Sequence, residues 1–382
     1  MSTYAPRRCG IATFTQDLAS AVGAREIVAL HPVDEPGPYP IEVRHRIRRD
    51  VLADYHRVGR ALDEGRVDVV SIQHEYGIWG GDDGSYVVDF ARALRTPAVA
   101  TLHTVLRHPT LAQRRILVDL VDACRATVVM SRSAASLLTG AYGVDPTRLD
   151  VVPHGVPDLP LVDPDSIKPR LGLEGRSVIL SFGLLGPGKG YESAIEAMPA
   201  VVRTDPSVCY VILGATHPDL LRREGEAYRR SLEAQAARLG LANHVRFVNE
   251  FVGRVQLATW LEAADIFVTP YPNLDQIVSG TLSYAMGAGK AIVSTPYAYA
   301  SELLAGGRGT LVAPGSPAAL ADAFIELLND PDLRARVGRQ AYDHTRGMVW
   351  WEVGAAYRRV FARAAGRALA PVVPARVAAA RA

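Results

Sequence analysis

Short runs that are apolar on both faces, each followed by an amphipathic stretch, recur along this chain, and that alternation restricts its fold more than any other feature. In the first half the predicted strands are Glu26–Leu30, Val67–Gln73, Ala98–His103, Ala126–Met130 and Leu149–Val152. Predicted helices lie among them at Ala12–Val22, Asp50–Glu64, Tyr86–Leu94, Leu111–Cys124 and Ser133–Tyr142. A strand apolar on both faces needs cover on both, and helices crossing between parallel strands supply it. The stretch Pro153–Pro169, rich in Pro, Asp and Gly, breaks the rhythm and reads as an interdomain linker. A second series follows, with strands at Ser177–Phe182, Val208–Gly214, Val245–Val248, Ile266–Thr269 and Ala291–Ser294. The fold class is therefore α/β, two Rossmann-like, doubly wound parallel-sheet domains. One position is irregular: only Ser2–Tyr4 precedes Pro6, a stub where such a domain opens with a full strand.

A chain of 382 residues suits two domains, and 48% hydrophobic with 21% charged residues is a globular composition. The net charge of +2 is spread without a dense basic stripe, which disfavours nucleic acid. The clusters Arg44–Arg49 and Arg222–Arg230 read as solvated helix faces. Cys9, Cys124 and Cys209 have neither a disulfide framework nor a zinc spacing. No run reaches the roughly 18 apolar residues of a membrane span. The cytoplasm is the expected compartment, with surface association on lipid left open and the oligomeric state unread. Trp350–Ala365 is predicted as a final amphipathic helix, and residues 366–382 as a low-complexity, disordered tail.

Ligands of open parallel sheets sit outside the carboxyl ends of the strands, so the loops there hold the candidates. At Arg7–Thr13, Arg8 offers charge and Gly10 a close backbone approach. The segment Gln73–Gly84 mixes His74, Glu75, Tyr76 and Trp79 with glycines; aromatic faces stack on sugars and polar groups bind hydroxyls, so it is a candidate acceptor loop. Its His74 and Glu75 lack a metal-pair spacing, and no metal is expected. His103, at a strand end, can hydrogen-bond a substrate hydroxyl or share charge in a transition state. Gly183–Tyr191 approaches a P-loop, but Gly190 stands where the magnesium-binding hydroxyl belongs. Its Gly183, Gly188 and Lys189 still suit a phosphate. Finally, Gln276–Val293 runs from loop to helix to strand, and Ser279, Gly280 and Thr281 form either an anion seat or an ordinary helix cap.

Several pieces, in order, resemble a glycosyltransferase of the GT-B fold, most closely the retaining glycosyltransferase family 4 (glycosyl transferases group 1). They are the Gly10 loop, Thr101–Thr104, Val129–Ala134, Val152–Val156, the Gly183–Gly190 loop and Tyr284–Lys290. In that family two glutamates separated by seven residues lead into the last piece, the second of them opening it; here those positions are Gln276 and Tyr284. Leu184 stands where an arginine usually assists the lysine, whereas Lys189 is kept and Glu302 matches a common glutamate beyond the signature.

The resemblance implies two domains facing across a cleft, with residues 1–157 binding the acceptor, 158–348 binding the donor, and 349–365 crossing back to the first domain. It implies transfer of a sugar from a nucleotide-diphosphate sugar, the co-substrate, to a sugar or other hydroxyl acceptor with retention, and no obligatory cofactor. His103, Lys189 and Gln276 are the expected catalytic residues. Gly10, Gly183, Gly188, Ser279, Gly280, Thr281 and Tyr284 are expected to bind the donor and its phosphates. Arg8, His74, Glu75, Tyr76 and Trp79 are the acceptor candidates. Two other classes stay open: a phosphorylase or nucleotide-sugar epimerase using the same cleft, and a sugar-binding protein without turnover.

Overall fold

The computed structural model describes residues 1–33 and 37–367. The expected tail lies, from residue 368, outside the described residues. The first domain contains strands β1 (Ile27–His31), β2 (Val43–Arg48), β3 (Val70–His74), β4 (Ala98–Leu102), β5 (Ala126–Val129) and β6 (Leu149–Val151). β1 and β2 pair in parallel, as do β3 to β6 in sequence order. The stub joins the two sets. Ser2 bridges Ala29 in parallel, Leu30 N–H donates to Ser2 O at 2.8 Å, and Gln73 N–H donates to Met1 O at 3.1 Å. The strand direction of the winding thus reverses between this segment and β3, placing a switch point beside the ends of Tyr4 and His74.

The second domain holds β7 (Val178–Phe182), β8 (Cys209–Leu213), β9 (Val245–Val248), β10 (Ile266–Thr269), β11 (Ala291–Ser294) and β12 (Thr310–Leu311), in spatial order β12-β11-β10-β7-β8-β9 and all parallel. Its switch point falls between β7 and β10. Alternate residues serve opposite cores: Ile179, Tyr210, Ile212, Ile266 and Val268 pack with helices Tyr191–Thr204 and Pro317–Asn329. Leu180, Val211 and Phe267 face Trp260, Leu282 and Leu303 on the other side. A period of two with both faces buried is what a covered parallel sheet requires.

The closing helix, Trp350–Ala364, returns to the first domain. Val353, Tyr357 and Val360 join Phe14, Leu18, Val99, Val128 and Val152 in one core, covering the back of β4, β5 and β6 together with helix Gly10–Val22. Tyr357 is fully buried, and its hydroxyl meets Thr101 Oγ1 at 3.2 Å. The chain crosses between domains twice, side by side: Val156 N–H donates to Met348 O and Trp350 N–H to Val156 O.

One sequence expectation is corrected. Arg44–Arg49 is not a helix face, because Val43–Arg48 is an edge strand whose outer side chains are exposed. Charged side chains blunt such an edge against pairing with other chains. The segment's charge hid its strand character.

Candidate functional site

On the first domain the site is built from the ends of β3 and β4 and the start of helix Gly10–Val22. His103 is buried, its backbone N–H donates to His74 O, and its Nε2 lies 2.9 Å from Gln73 Oε1. Phe14 meets the His103 ring edge-on at 4.7 Å and the His154 ring at 5.1 Å. Burial, with His154 and His74 nearby, lowers the His103 pKa to about 3, so the imidazole is neutral. Cys9 caps the helix through Sγ, which accepts from Ala12 N–H at 3.4 Å, leaving Arg8 and Gly10 exposed beside it.

The acceptor candidates divide. Glu75 accepts from the Thr104 hydroxyl and from Tyr76 and Gly77 N–H, while burial raises its pKa. Tyr76 is partly buried, and its hydroxyl donates to Gln113 O at 3.2 Å. Two others face the interior. Trp79 is 3% exposed and donates from Nε1 to Gln73 O at 3.1 Å. His74 is fully buried with neither ring nitrogen partnered, and burial lowers its pKa to about 4. In this conformation neither ring offers a surface to a sugar.

On the second domain the Gly183–Tyr191 loop leaves β7 and enters helix Tyr191–Thr204 at the switch point. Gly190 has φ +72°, and a Cβ there would lie 1.9 Å from Pro270 O, so the loop lies directly against the end of β10. Gly183 and Gly188 also have positive φ, and nothing lies within 4 Å of the Cβ position at Gly188. Lys189 Nζ sits 4.5 Å from the centroid of the Tyr271 ring. The Tyr271 hydroxyl meets Thr281 Oγ1 at 3.1 Å, and Thr281 Oγ1 meets Ser279 Oγ at 3.1 Å. Tyr271 thereby links the lysine loop to the start of helix Gly280–Gly287. Ser279 caps that helix, accepting from Leu282 N–H at 3.3 Å. The two readings of Ser279 are therefore compatible, because a cap leaves further N–H groups of the first turn to a ligand. Gln276 Nε2 donates to Val278 O at 2.9 Å, which commits its amide nitrogen.

Polar ties join the two sides. The Tyr284 hydroxyl donates to Asp17 Oδ2 at 2.7 Å, and Arg254 pairs with Asp17 Oδ1. Burial raises the Asp17 pKa, and both partners oppose that rise. Tyr284 thus reaches the opposite domain, and its hydroxyl is not directed to the Lys189 loop with which the sequence grouped it. Glu302 accepts from Arg132 N–H, Ser133 N–H and the Ser133 hydroxyl at 2.7–2.9 Å, so it also acts across the boundary. Ser131 donates to Ile277 O, and Arg107 pairs with Asp275. His154 packs on Gly280, where a Cβ would lie 2.8 Å from its Nε2. Sequence reasoning missed Asp17, though an acid between Phe14 and Leu18 on a buried helix stripe was a usable signal. Arg254 carried none, and Gln73 stood only as the first residue of the acceptor-loop segment. Among the described residues, no group of three or more His, Cys, Asp or Glu is placed to hold a metal ion, and no helix is long and apolar enough to cross a membrane.

Residues 9–158 match the family model described as Glycosyltransferase Family 4, and residues 163–344 match that described as Glycosyl transferases group 1. A D-inositol 3-phosphate glycosyltransferase of Streptomyces scabiei is 27% identical over 372 residues, covering 92% of this chain and 79% of the relative. D-inositol 3-phosphate glycosyltransferase 2 of Catenulispora acidiphila is 30% identical over 255 residues, or 64% of this chain; the match spans only 57% of that relative's length. Among solved structures, Anabaena HepE in complex with UDP-glucose has a TM-score of 0.74 at 19% identity, covering 94% of this chain and 98% of that one. Sucrose-phosphate synthase from Thermosynechococcus elongatus has a TM-score of 0.74 at 17% identity, covering 93% and 94%. These structural likenesses show a shared GT-B architecture.

Proposed function

The chain belongs to the glycosyl transferases of group 1, with a family 4 domain at its front, and from that premise we propose that it moves a sugar from a nucleotide-diphosphate donor to a hydroxyl acceptor with retention. The observation that carries this reading is the meeting of Lys189, Tyr271 and Thr281 at the switch point of the second sheet. Glycine backbone, one lysine and a helix N-terminus converge there without a carboxylate among them. That is a seat for a diphosphate.

Residues 158–348 hold the donor in this account and residues 1–157 the acceptor. Lys189, Gly183, Gly188 and the Ser279–Thr281 turn take the diphosphate. The Gly10 backbone faces it from the other domain. His103 meets a hydroxyl of the donor sugar, and Gln276 offers Oε1 to another. As the sugar leaves, negative charge grows on the diphosphate, and preorganised donors stabilise it most at that moment. A leaving phosphate oxygen takes the acceptor proton on the face it vacates, which gives retention. Arg8, Glu75 and Tyr76 border the acceptor side. Named relatives act on D-inositol 3-phosphate and one structural neighbour holds UDP-glucose; a uridine nucleotide and a cyclic polyol are therefore the first substrates to try.

Leu184, Gln276 and Tyr284 depart from the family pattern and motivate a second reading, sugar binding without turnover. Mass spectrometry of reactions with a panel of nucleotide sugars and polyol acceptors separates the two. Donor-dependent product supports the transferase. Tight binding with no product from any pair supports the binding protein, and phosphate-dependent release of sugar phosphate would point to a phosphorylase.

A further inference from the structure

Resting on the reading of His103 as the residue that meets the donor sugar, we infer that Gln73 is its positioning residue, holding the proton on Nε2 and leaving Nδ1 bare for that sugar. Three contacts converge on this arrangement. Gln73 is 1% exposed, its side-chain nitrogen donates to Ser71 Oγ at 3.1 Å, and its carbonyl oxygen faces His103. That oxygen lies 2.9 Å from Nε2 and can only accept, so Nε2 carries the proton. Phe14, edge-on at 4.7 Å and 89°, fixes the plane of the ring.

The other nitrogen is open. His103 Nδ1 has no partner among the described residues, yet it is not among the ring nitrogens sealed from solvent without one, as both nitrogens of His74 are. No carboxylate contacts the imidazole. The charged or titratable groups that bear on it are His74, from β3, and His154, and both favour the neutral ring.

A chemical restriction follows. A neutral imidazole with a bare Nδ1 accepts a hydrogen bond and gives none, so its ligand is a hydroxyl that donates. His103 then selects donor sugars carrying that hydroxyl and contributes no cationic charge to the transition state. The hydrogen bond made at one ring nitrogen sets the protonation of the other, and where such a partner orients a metal-ligating histidine its loss costs roughly 10- to 100-fold in affinity or activity.

The test uses the full chain labelled with 15N-histidine. Long-range proton–nitrogen spectra at neutral pH, with the His103 signals assigned by their loss in His103→Gln, should show an Nε2–H tautomer. Gln73→Leu should convert this into a mixture of tautomers and lower kcat more than it raises KM. Gln73→Glu, nearly isosteric, should give an imidazolium and shift the acid limb of the kcat/KM profile to higher pH. An Nδ1–H tautomer in the parent protein, or an unchanged tautomer in Gln73→Leu, overturns the inference. If Gln73→Leu does not fold, the parent spectrum and Gln73→Glu still decide. Should the spectra behave as expected while His103→Gln keeps full transfer activity, the role of His103 fails and the placement of Gln73 stands.

Discussion

Replacing Tyr284 with phenylalanine removes one hydroxyl from the domain boundary and little else. That hydroxyl donates at 2.7 Å to Asp17, a residue 7% exposed on the facing domain. A hydrogen bond to a charged group contributes about 1.5–3 kcal/mol. Arg254 still holds the second carboxylate oxygen in the variant, so the lower part of that range, about 2 kcal/mol, is expected. Arg254→Ala should cost under about 1 kcal/mol, because solvent screens the arginine end of the pair, whose side chain is 55% exposed, and Tyr284 still serves the Asp17 carboxylate.

Urea denaturation of Tyr284→Phe, Asp17→Ala and the double variant measures the pair directly, and a coupling energy above about 1 kcal/mol is predicted for groups in contact. The pH dependence gives a second check. The Asp17 carboxyl is raised above its ordinary 3.8 by burial, and the Tyr284 hydroxyl counteracts this. A raised carboxyl binds its proton more tightly when folded, so its contribution favours the acid side and is lost as pH climbs through the folded value. Removing the hydroxyl extends that loss to higher pH. A coupling below about 0.3 kcal/mol, the error of additivity for independent sites, would refute the tie, as would equal losses for Tyr284→Phe and Arg254→Ala.

The buried histidines give a prediction of opposite sign. Burial lowers the pKa to about 4 for His74 and His154 and about 3 for His103. Their contribution is complete above pH 6.5 and falls as pH drops toward 4, with a slope near pH 5 approaching about 4 kcal/mol per pH unit for three protons. His74→Leu should flatten that slope by one proton in denaturation curves at pH 5 and 7. It should also stabilise the fold by about 1–3 kcal/mol, by removing two unpartnered ring nitrogens; a destabilised variant with an unchanged slope would count against the placement. Tyr357→Ala, opening a cavity between the closing helix and the first sheet, should cost about 3–5 kcal/mol by analogy with other large aromatics. Tyr357→Phe should lose only about 1 kcal/mol, the Thr101 hydrogen bond, and similar costs for the two would show that the ring is not buried there.

Much of the architecture was legible because its signal is local. The runs of β7, β10 and β11 are apolar on both faces, and the Gly183 loop declares its turn through its glycines. The edge strand Val43–Arg48 was not legible, since its exposed positions carry the charge of a solvated surface. The stub at Met1–Tyr4 was visible, but its slot between β1 and β3 depends on partners far along the chain. The same distance explains the site. Gln73 with His103 spans 30 residues and Tyr284 with Asp17 spans 267, so neither pair leaves a periodic trace. Its place in the family signature assigned Tyr284 to the donor. Its hydroxyl instead joins the domains, because a phenol reaches farther than the carboxylate it stands in for.

Isothermal calorimetry of nucleotide-diphosphate sugars titrated into the full chain and into Lys189→Ala tests the central claim most directly. Half-buried Lys189 contacts the Tyr271 ring through its ammonium group and makes no ion pair among the described residues, so the substitution should leave the fold intact while removing the cation from the diphosphate seat. The account predicts saturable one-site binding of at least one such donor, weakened at least tenfold in Lys189→Ala, about 1.4 kcal/mol. No binding of any nucleotide sugar to the parent protein, or equal affinity in the variant, would contradict it.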